Sequence, residues 1–504
     1  MRYLLPHIFI NTVKNNKNKI ALIIDQREYS YQEMYVDCLQ LTYHLKYLGA
    51  VRHDRILIQA GNSYLTMIAF WSSLLCECVP CIVDSEIDLE TLSELIKSID
   101  PKMAVLSDND RTKQDHFDDL KINVIHHIDA VKNFQEIQND FIFKNTEQDL
   151  AMLMHTSGST GIPKGVMLSH RNVLAAVDSI SHYLSLESSD IILSVLPLHF
   201  DYGLYQMLLC FSLGATLVLE KNFLFPNIIS KKINQYCVTV LPCIPLMVQL
   251  LYISCERYLF NFPTVRMVTN TGENLSAHHI KKLKKLFPTA RIFSMYGLTE
   301  CKRCSYVPPD HLDEKLESIG IPMLNIEMWI QDSDGNILES NKEGELVISG
   351  PTVMLGYWKN ISETNKKINI NKSGKRILMT GDRAIVDDDG YFYFKGRNDF
   401  IVKFKGTKLN CLHYTKILSK ITFINRSYIF LSKSNFEDQK LIVCVEVDSF
   451  CDHIDNLRKL IFSYFPSIQK PDYVYFIDQF PSLSNGKMNK HLLEKKASEN
   501  IVCI

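Results

Sequence analysis

Short runs of aliphatic and β-branched residues recur along more than half of this chain, with helix-length stretches between them. They fall at 21–24, 55–59, 79–83, 103–106 and 124–126, and again at 191–195, 216–219, 238–241, 265–269 and 291–295. Parallel strands need long crossovers to return to one edge of a sheet, so this rhythm predicts two α/β lobes with parallel sheets and helices on both faces. The texture changes over 345–404. Short strands meet turn signals there, Asp334-Gly335 just upstream and Asp387-Asp388-Asp389-Gly390 within, which predicts a small β-rich, barrel-like subdomain. Past Gly406 the pattern predicts a short α+β unit, with strand 440–447, helix 454–465, strand 473–477 and a terminal Lys-rich helix.

Composition narrows the partners. Lys and Arg number 55 against 56 Asp and Glu, a net charge of −1, which removes the general phosphate attraction on which nucleic-acid binders rely. Hydrophobic residues at 46% and charged residues at 22% exclude disorder and coiled coil as the main architecture. The apolar run 64–83 contains Glu77 and Pro80, costly in lipid, and is expected to be a buried helix-to-strand junction and not a membrane span. The 14 cysteines are scattered and no signal peptide precedes them, so a reducing cytoplasm is expected. Cys76, Cys78 and Cys81, and the pair Cys301 and Cys304, have no histidine at finger-like spacing and read as small core hydrophobes.

The most informative stretch follows the apolar residues 151–154: Thr156-Ser157-Gly158-Ser159-Thr160-Gly161-Ile162-Pro163-Lys164-Gly165. Glycines let backbone approach an anion, hydroxyls donate to phosphate oxygens, and Lys164 supplies a cation. It is not a Walker A loop, because Pro163 stands where the spacing G-x-x-x-x-G-K would fail and no Ser or Thr follows the lysine.

This loop resembles the signature loop of the adenylate-forming superfamily of acyl-CoA synthetases, amino-acid adenylation domains and luciferases. Further matching segments follow in family order: Tyr296-Gly297-Leu298-Thr299-Glu300, Thr380-Gly381-Asp382, Gly396-Arg397-Asn398-Asp399 with Lys403 and Gly406, and Asn485-Gly486-Lys487. The resemblance implies an adenylation core over 1–398 and a mobile lid over 399–504. It implies that residues 156–161 and Lys164 wrap the ATP phosphates, that Thr299 contacts the α-phosphate, and that Glu300 holds Mg²⁺, a hard ion that favours one or two carboxylates plus phosphate oxygens. Tyr296 would stack on adenine, and Asp382 with Arg397 would bind the ribose hydroxyls. Lys487 resembles the catalytic lysine, whose ammonium stabilises charge as a carboxylate attacks the α-phosphate. Asp399 matches a hinge, and Lys403 to Gly406 would face the site when the acyl-adenylate is passed to a thiol.

By the same resemblance, Asp201 in Leu198-His199-Phe200-Asp201-Tyr202 corresponds to the acid that pairs with a substrate α-ammonium, so an amino or imino acid is expected. Aspartate is also a favoured helix N-cap, and that role stays open here. The other implied wall positions are Tyr202, Tyr205, Val240, Thr269, Thr271, Met295, Arg303 and Cys304. Their mixture suggests a pocket too polar for a long fatty acid. Residues 495–504 hold no phosphopantetheine site, so no attached carrier domain is expected and the expected acceptor is the phosphopantetheine arm of a carrier protein in trans, with free CoA as the alternative. A noncatalytic nucleotide-binding protein would not need Lys164, Glu300, Asp382, Arg397 and Lys487 together.

Overall fold

The computed structural model describes residues 3–106, 111–126, 141–156, 163–397, 401–404, 407–421, 423–432, 440–447, 454–466, 469–483 and 488–502. They form two compact units, Met1–Met328 with Val347–Met379, and Trp329–Leu346 with Thr380–Ile504.

The first unit contains two sheets whose central strands are buried without alternation, as coverage on both faces requires. In the seven-stranded sheet the spatial order is Gly356–Tyr357, Lys164–Ser169, Leu150–Thr156, Val79–Asp84, Arg55–Ala60, Met103–Leu106 and Asn123–Ile125. The last five run parallel, and Lys164–Ser169 returns antiparallel beside Leu150–Thr156. The nine-stranded sheet has the order Ile321–Pro322, Cys301–Val307, Arg291–Leu298, Met267–Asn270, Val240–Cys243, Ile191–Ser194, Thr216–Leu219, Ile20–Ile24 and Arg27–Ser30.

The fold class expected from the sequence is observed, but the chain is threaded differently from two successive lobes. The first strand, Ile20–Ile24, leaves the early strands and pairs in parallel with Thr216–Leu219, Leu22 opposite Leu217. Long-range hydrogen bonds fix it there: the Tyr31 hydroxyl donates to the Ala215 carbonyl (2.6 Å) and Thr216 Oγ1 donates to the Ile20 carbonyl (2.7 Å).

Local chemistry explains several element ends. Ser30 and Glu33 form a reciprocal capping box at the start of helix Tyr31–Tyr47. The apolar run is the buried helix Tyr64–Leu75 followed by Val79–Asp84, and Glu77 in the turn accepts the Asn145 N–H (2.8 Å). No helix among the described residues is long and apolar enough to cross a membrane. Phe9, Trp71 and Phe211 pack as a triangle (Trp71 stacked on Phe9 and on Phe211 with ring centroids 5.1 and 5.5 Å apart, and Phe9 tilted against Phe211 at 5.4 Å), bracing helices Leu5–Asn16, Tyr64–Leu75 and Asp201–Leu213 against one another. The third of these helices carries Asp201.

In the second unit, Phe392–Arg397 pairs antiparallel with the 382–386 part of strand Arg376–Val386. Strands Ile424–Leu431, Leu441–Val447 and Tyr473–Ile477 form a sheet, the last two parallel across helix Ile454–Ser463, as a right crossover length requires. Leu418, Ile429, Val443, Val445 and Ile461 fill its core. Helix Cys411–Leu418 and strand Ile424–Leu431 add to the expected elements; the strand was masked in sequence by Arg426 and Ser427, and Arg426 is in fact paired with Glu446 at 2.7 Å.

One tie in the first unit is sensitive to pH. His170 Nδ1 accepts the Leu5 N–H at 3.1 Å, and burial holds the imidazole down to about 4, against the opposing pull of Asp149. Above pH 6.5 the ring is neutral whether folded or not. As pH falls from 6.5 towards 4, the unfolded chain takes the proton first, so stability is lost across that window. Thermal melts at pH 7, 6 and 5 are expected to show a steady fall in Tm that is shallower in His170→Gln.

Candidate active site

The glycine- and hydroxyl-rich loop joins two antiparallel strands, and Thr156 and Lys164 face each other at its mouth. Ser157, Gly158, Ser159, Thr160 and Gly161 lie outside the described residues. Lys164 Nζ pairs with Glu363 Oε2 at 2.5 Å, and Lys366 takes Oε1 of the same carboxylate at 2.6 Å. These two ammonium groups, the Lys164 hydrogen bond first, pull the Glu363 carboxyl down to about 2. Strand Gly356–Tyr357 brings this group to the site: Tyr357 lies opposite Val166, its ring 5.4 Å from Lys164 Nζ, and its hydroxyl donates to Glu300 Oε1 at 2.7 Å. Neither Tyr357 nor Glu363 was found by sequence reasoning.

Thr299 and Glu300 occupy the two-residue turn between strands Arg291–Leu298 and Cys301–Val307, where Leu298 faces Cys301. Gly297 is required beside it, since a Cβ there would sit 2.9 Å from the Arg303 backbone nitrogen. Thr299 Oγ1 donates to Asp201 Oδ2 at 3.1 Å. Asp201 is the first residue of its helix and not the N-cap; Phe200 holds that position, with no side-chain cap. Its carboxylate pairs instead with Lys302, only 2% exposed, and this contact also falls on Oδ2. Lys302 is a further residue that the sequence did not reveal as part of the site.

The register explains why. Residues 294–296 pair with 305–307 in one register, but Leu298 with Cys301 is shifted, leaving 302–304 opposite Gly297. The resulting bulge, with Arg303 at φ +45°, lets neighbouring side chains turn to the same interior where strict alternation would send one outward. Lys302, Arg303 and Cys304 are all buried.

Around them, the Tyr202 and Thr269 hydroxyls share a hydrogen bond of 2.7 Å, and the Tyr183 hydroxyl donates to Met295 Sδ at 2.8 Å. Tyr205, Val240 and Thr271 are buried on neighbouring elements of the same unit, and Tyr296 lies on the strand before the turn. Burial keeps Tyr183, Tyr202 and Tyr205 protonated, against the pull of the Arg303 charge.

In the second unit, Asp382 faces Arg397 across the strand pair, 3.1 Å apart. Gly381 adopts φ +78°, and its N–H donates to Glu345 Oε1 at 2.9 Å; Thr380 Oγ1 donates to the Leu346 carbonyl at 2.6 Å. The Thr-Gly-Asp order thus fixes a kink that leaves a 3%-exposed carboxylate beside a half-exposed guanidinium. Lys403 lies on strand Ile401–Phe404. Lys487, Asp399 and Gly406 lie outside the described residues.

Two α/β sheets, a polar loop opening at Lys164 and a carboxylate-bearing turn beside a cluster of buried polar side chains are the features expected of an enzyme with the adenylate-forming fold. The AMP-binding enzyme family profile matches residues 9–358. The chain belongs to that family, whose members are AMP-forming acid–thiol ligases. It is 26% identical over 508 residues to bacitracin synthase 2 of Bacillus licheniformis, matching along 96% of this chain but spanning only 18% of that protein. It is 26% identical over 353 residues to the L-proline–[L-prolyl-carrier protein] ligase of Pseudomonas fluorescens, 69% of each chain. Among solved structures, ATP-bound MatB from Rhodopseudomonas palustris superposes with a TM-score of 0.86 at 20% identity over 98% of this chain and 99% of that one. VinN in complex with L-aspartate gives 0.71 at 28% identity over 79% and 100%.

Glu363 already holds Lys164, the one loop cation that the structure describes and the resemblance assigns to ATP. Exposed ion pairs contribute about 0–1 kcal/mol, so Glu363→Gln is expected to tighten ATP binding by up to about fivefold and Lys164→Ala to weaken it, both read by calorimetric titration.

Proposed function

We propose that this chain adenylates the carboxylate of a small amino or imino acid with ATP, releasing pyrophosphate, and passes the acyl group to the phosphopantetheine thiol of a carrier protein in trans, leaving AMP. The observation that carries this reading is the Thr299–Asp201 hydrogen bond, which sets a pocket carboxylate directly against the turn that bears Glu300. Both described contacts of Asp201 fall on Oδ2, leaving Oδ1 to face an ammonium. The activity for which the proline ligase is named and the L-aspartate bound by VinN support an amino acid.

In this reading Lys164 and Thr156, with residues 157–161, bind the β- and γ-phosphates, Thr299 binds the α-phosphate, Tyr296 stacks on adenine, and Asp382 with Arg397 binds the ribose. Glu300 fits Mg²⁺: it is a hard oxygen donor, oriented by the Tyr357 hydroxyl, with no cation paired to it among the described residues. Bound there, Mg²⁺ would neutralise phosphate charge. Lys487 stabilises charge during attack on the α-phosphate. Residues 399–504 act as the lid, turning at Asp399 so that Lys403 and Gly406 face the site in the thiol step. The described cysteines are free thiols, all buried but Cys237, which supports a reducing compartment such as the cytoplasm.

A second reading has a specific observation in its favour. Lys302 already provides Asp201 with a cation, which suits an acid without an α-ammonium and, with it, CoA as acceptor. Asp201→Asn separates the two. If an ammonium binds there, losing its counter-charge costs about 3–5 kcal/mol when buried, so pyrophosphate exchange into ATP should fall on the order of a hundredfold further for amino acids than for their deaminated analogues, whose own loss reports the stranded Lys302. Equal losses on both would support the second reading.

Lys487→Ala provides an independent check on the adenylation step. It is expected to abolish exchange while leaving transfer from a supplied acyl-adenylate to thiol largely intact, because that step places no charge where the ammonium would act. Normal exchange in this variant would remove Lys487 from the mechanism.

A further inference from the structure

The bulged strand places two adjacent cations in the interior, Lys302 and Arg303, 2% and 3% exposed. They differ in what surrounds them. Lys302 is compensated by Asp201. Among the described residues no carboxylate pairs with Arg303, and its Nε has no hydrogen-bond acceptor. Its surroundings are phenols: the guanidinium lies 4.8 Å from the centre of the Tyr202 ring, and the hydroxyl of the equally buried Tyr205 also has no hydrogen-bond partner. Arg303 further sits at φ +45°, a conformation that costs a non-glycine residue about 1–3 kcal/mol.

An uncompensated buried charge is expensive, and a buried donor with no acceptor adds its own desolvation cost. Counting formal charges over Lys302, Asp201 and Arg303 leaves one positive charge unmatched, on the residue with the open donor. The group that fits is an anion able to accept from both a planar guanidinium and a phenol hydroxyl, which is what a carboxylate does. The carboxylate that reacts must reach the α-phosphate and so cannot also be held here.

We infer that the acid activated by this enzyme carries a second anionic group, and that Arg303 together with the Tyr205 hydroxyl receives it. This rests on the adenylation reading and is independent of the thiol acceptor and of whether an ammonium meets Asp201. Lys302, in turn, is a positioning residue: by occupying Asp201 Oδ2 it keeps that carboxylate from folding back onto Arg303 and leaves the guanidinium for substrate.

The test is pyrophosphate exchange with the purified chain on matched acids: succinate against butyrate, aspartate against 2-aminobutyrate, glutamate against norvaline. The two-carboxylate member of at least one pair is expected to have kcat/KM about a hundredfold above its partner. In Arg303→Met that preference should collapse to within a few-fold because the diacid loses far more than its partner; Arg303→Lys should restore part of it, and Tyr205→Phe should cost the diacid about tenfold more than its partner. Thermal melts of each variant establish that it is folded, and the two conservative variants carry the test if Arg303→Met is not. Preference for the one-carboxylate members, or equal losses on both members in the variants, overturns the inference while leaving adenylation in place. No exchange with these acids but exchange with proline or another one-carboxylate acid overturns the inference alone, and no exchange with any of them, proline included, overturns the adenylation reading and the inference with it.

Discussion

The buried contact of Asp201 with Lys302 and Thr299 is the point on which the arrangement of this site depends. It joins the first turn of helix Asp201–Leu213 to the hairpin that carries Thr299 and Glu300. A buried ion pair contributes little net stability, because desolvating two charges costs roughly what their attraction returns, but removing one partner leaves the other stranded. The pair therefore acts chiefly as a locator: it makes one relative placement of helix and hairpin far better than its neighbours. The packed Phe9, Trp71 and Phe211 rings hold the same helix near its other end, so its placement is set by packing as well as by charge.

A second polar chain runs from Lys366 through Glu363 to Lys164, with Tyr357 beside it and Glu300 beyond. Lys366, Glu363 and Tyr357 come from the short segment 356–367, Lys164 from the strand next to it, and Glu300 from the turn of the other sheet. The segment does for Lys164 what Lys302 does for Asp201: it keeps a buried or half-buried ionic group paired and oriented instead of leaving its charge unmatched.

Much of the fold was legible in the sequence because it rests on local periodicity. Strand runs such as 79–83 and 216–219 are apolar throughout, and helices such as Tyr31–Tyr47 announce their starts with a capping box. What was not legible depends on pairing at long range. Nothing in residues 21–24 says that their neighbour is Thr216–Leu219, and nothing in Gly356-Tyr357 says that it closes the seven-stranded sheet. At the site, the loop, the Thr-Glu turn and the Thr-Gly-Asp kink stand out because their residue types are demanded by backbone geometry or by phosphate. Lys302 did not, since alternation along a strand would turn either it or Arg303 to solvent, and only the bulge allows both inside. Glu363 and Tyr357 carry no signature at all; their roles come from the partners that the fold brings to them.

The path of the chain through the first unit bears on how the protein is made. Its edge strand Gly356–Tyr357 arrives only after the chain has left the unit at 329 and come back at 347. A nascent chain emerging from the ribosome therefore holds most of two large sheets while strand Lys164–Ser169 still presents an unpaired edge, with Val166 and Leu168 beside it. Such an edge is a template for pairing with another chain, and non-local strand pairings form slowly. The first unit cannot be completed until residue 357 emerges, and the interval before then is when it is most exposed to misassembly and most in need of a chaperone.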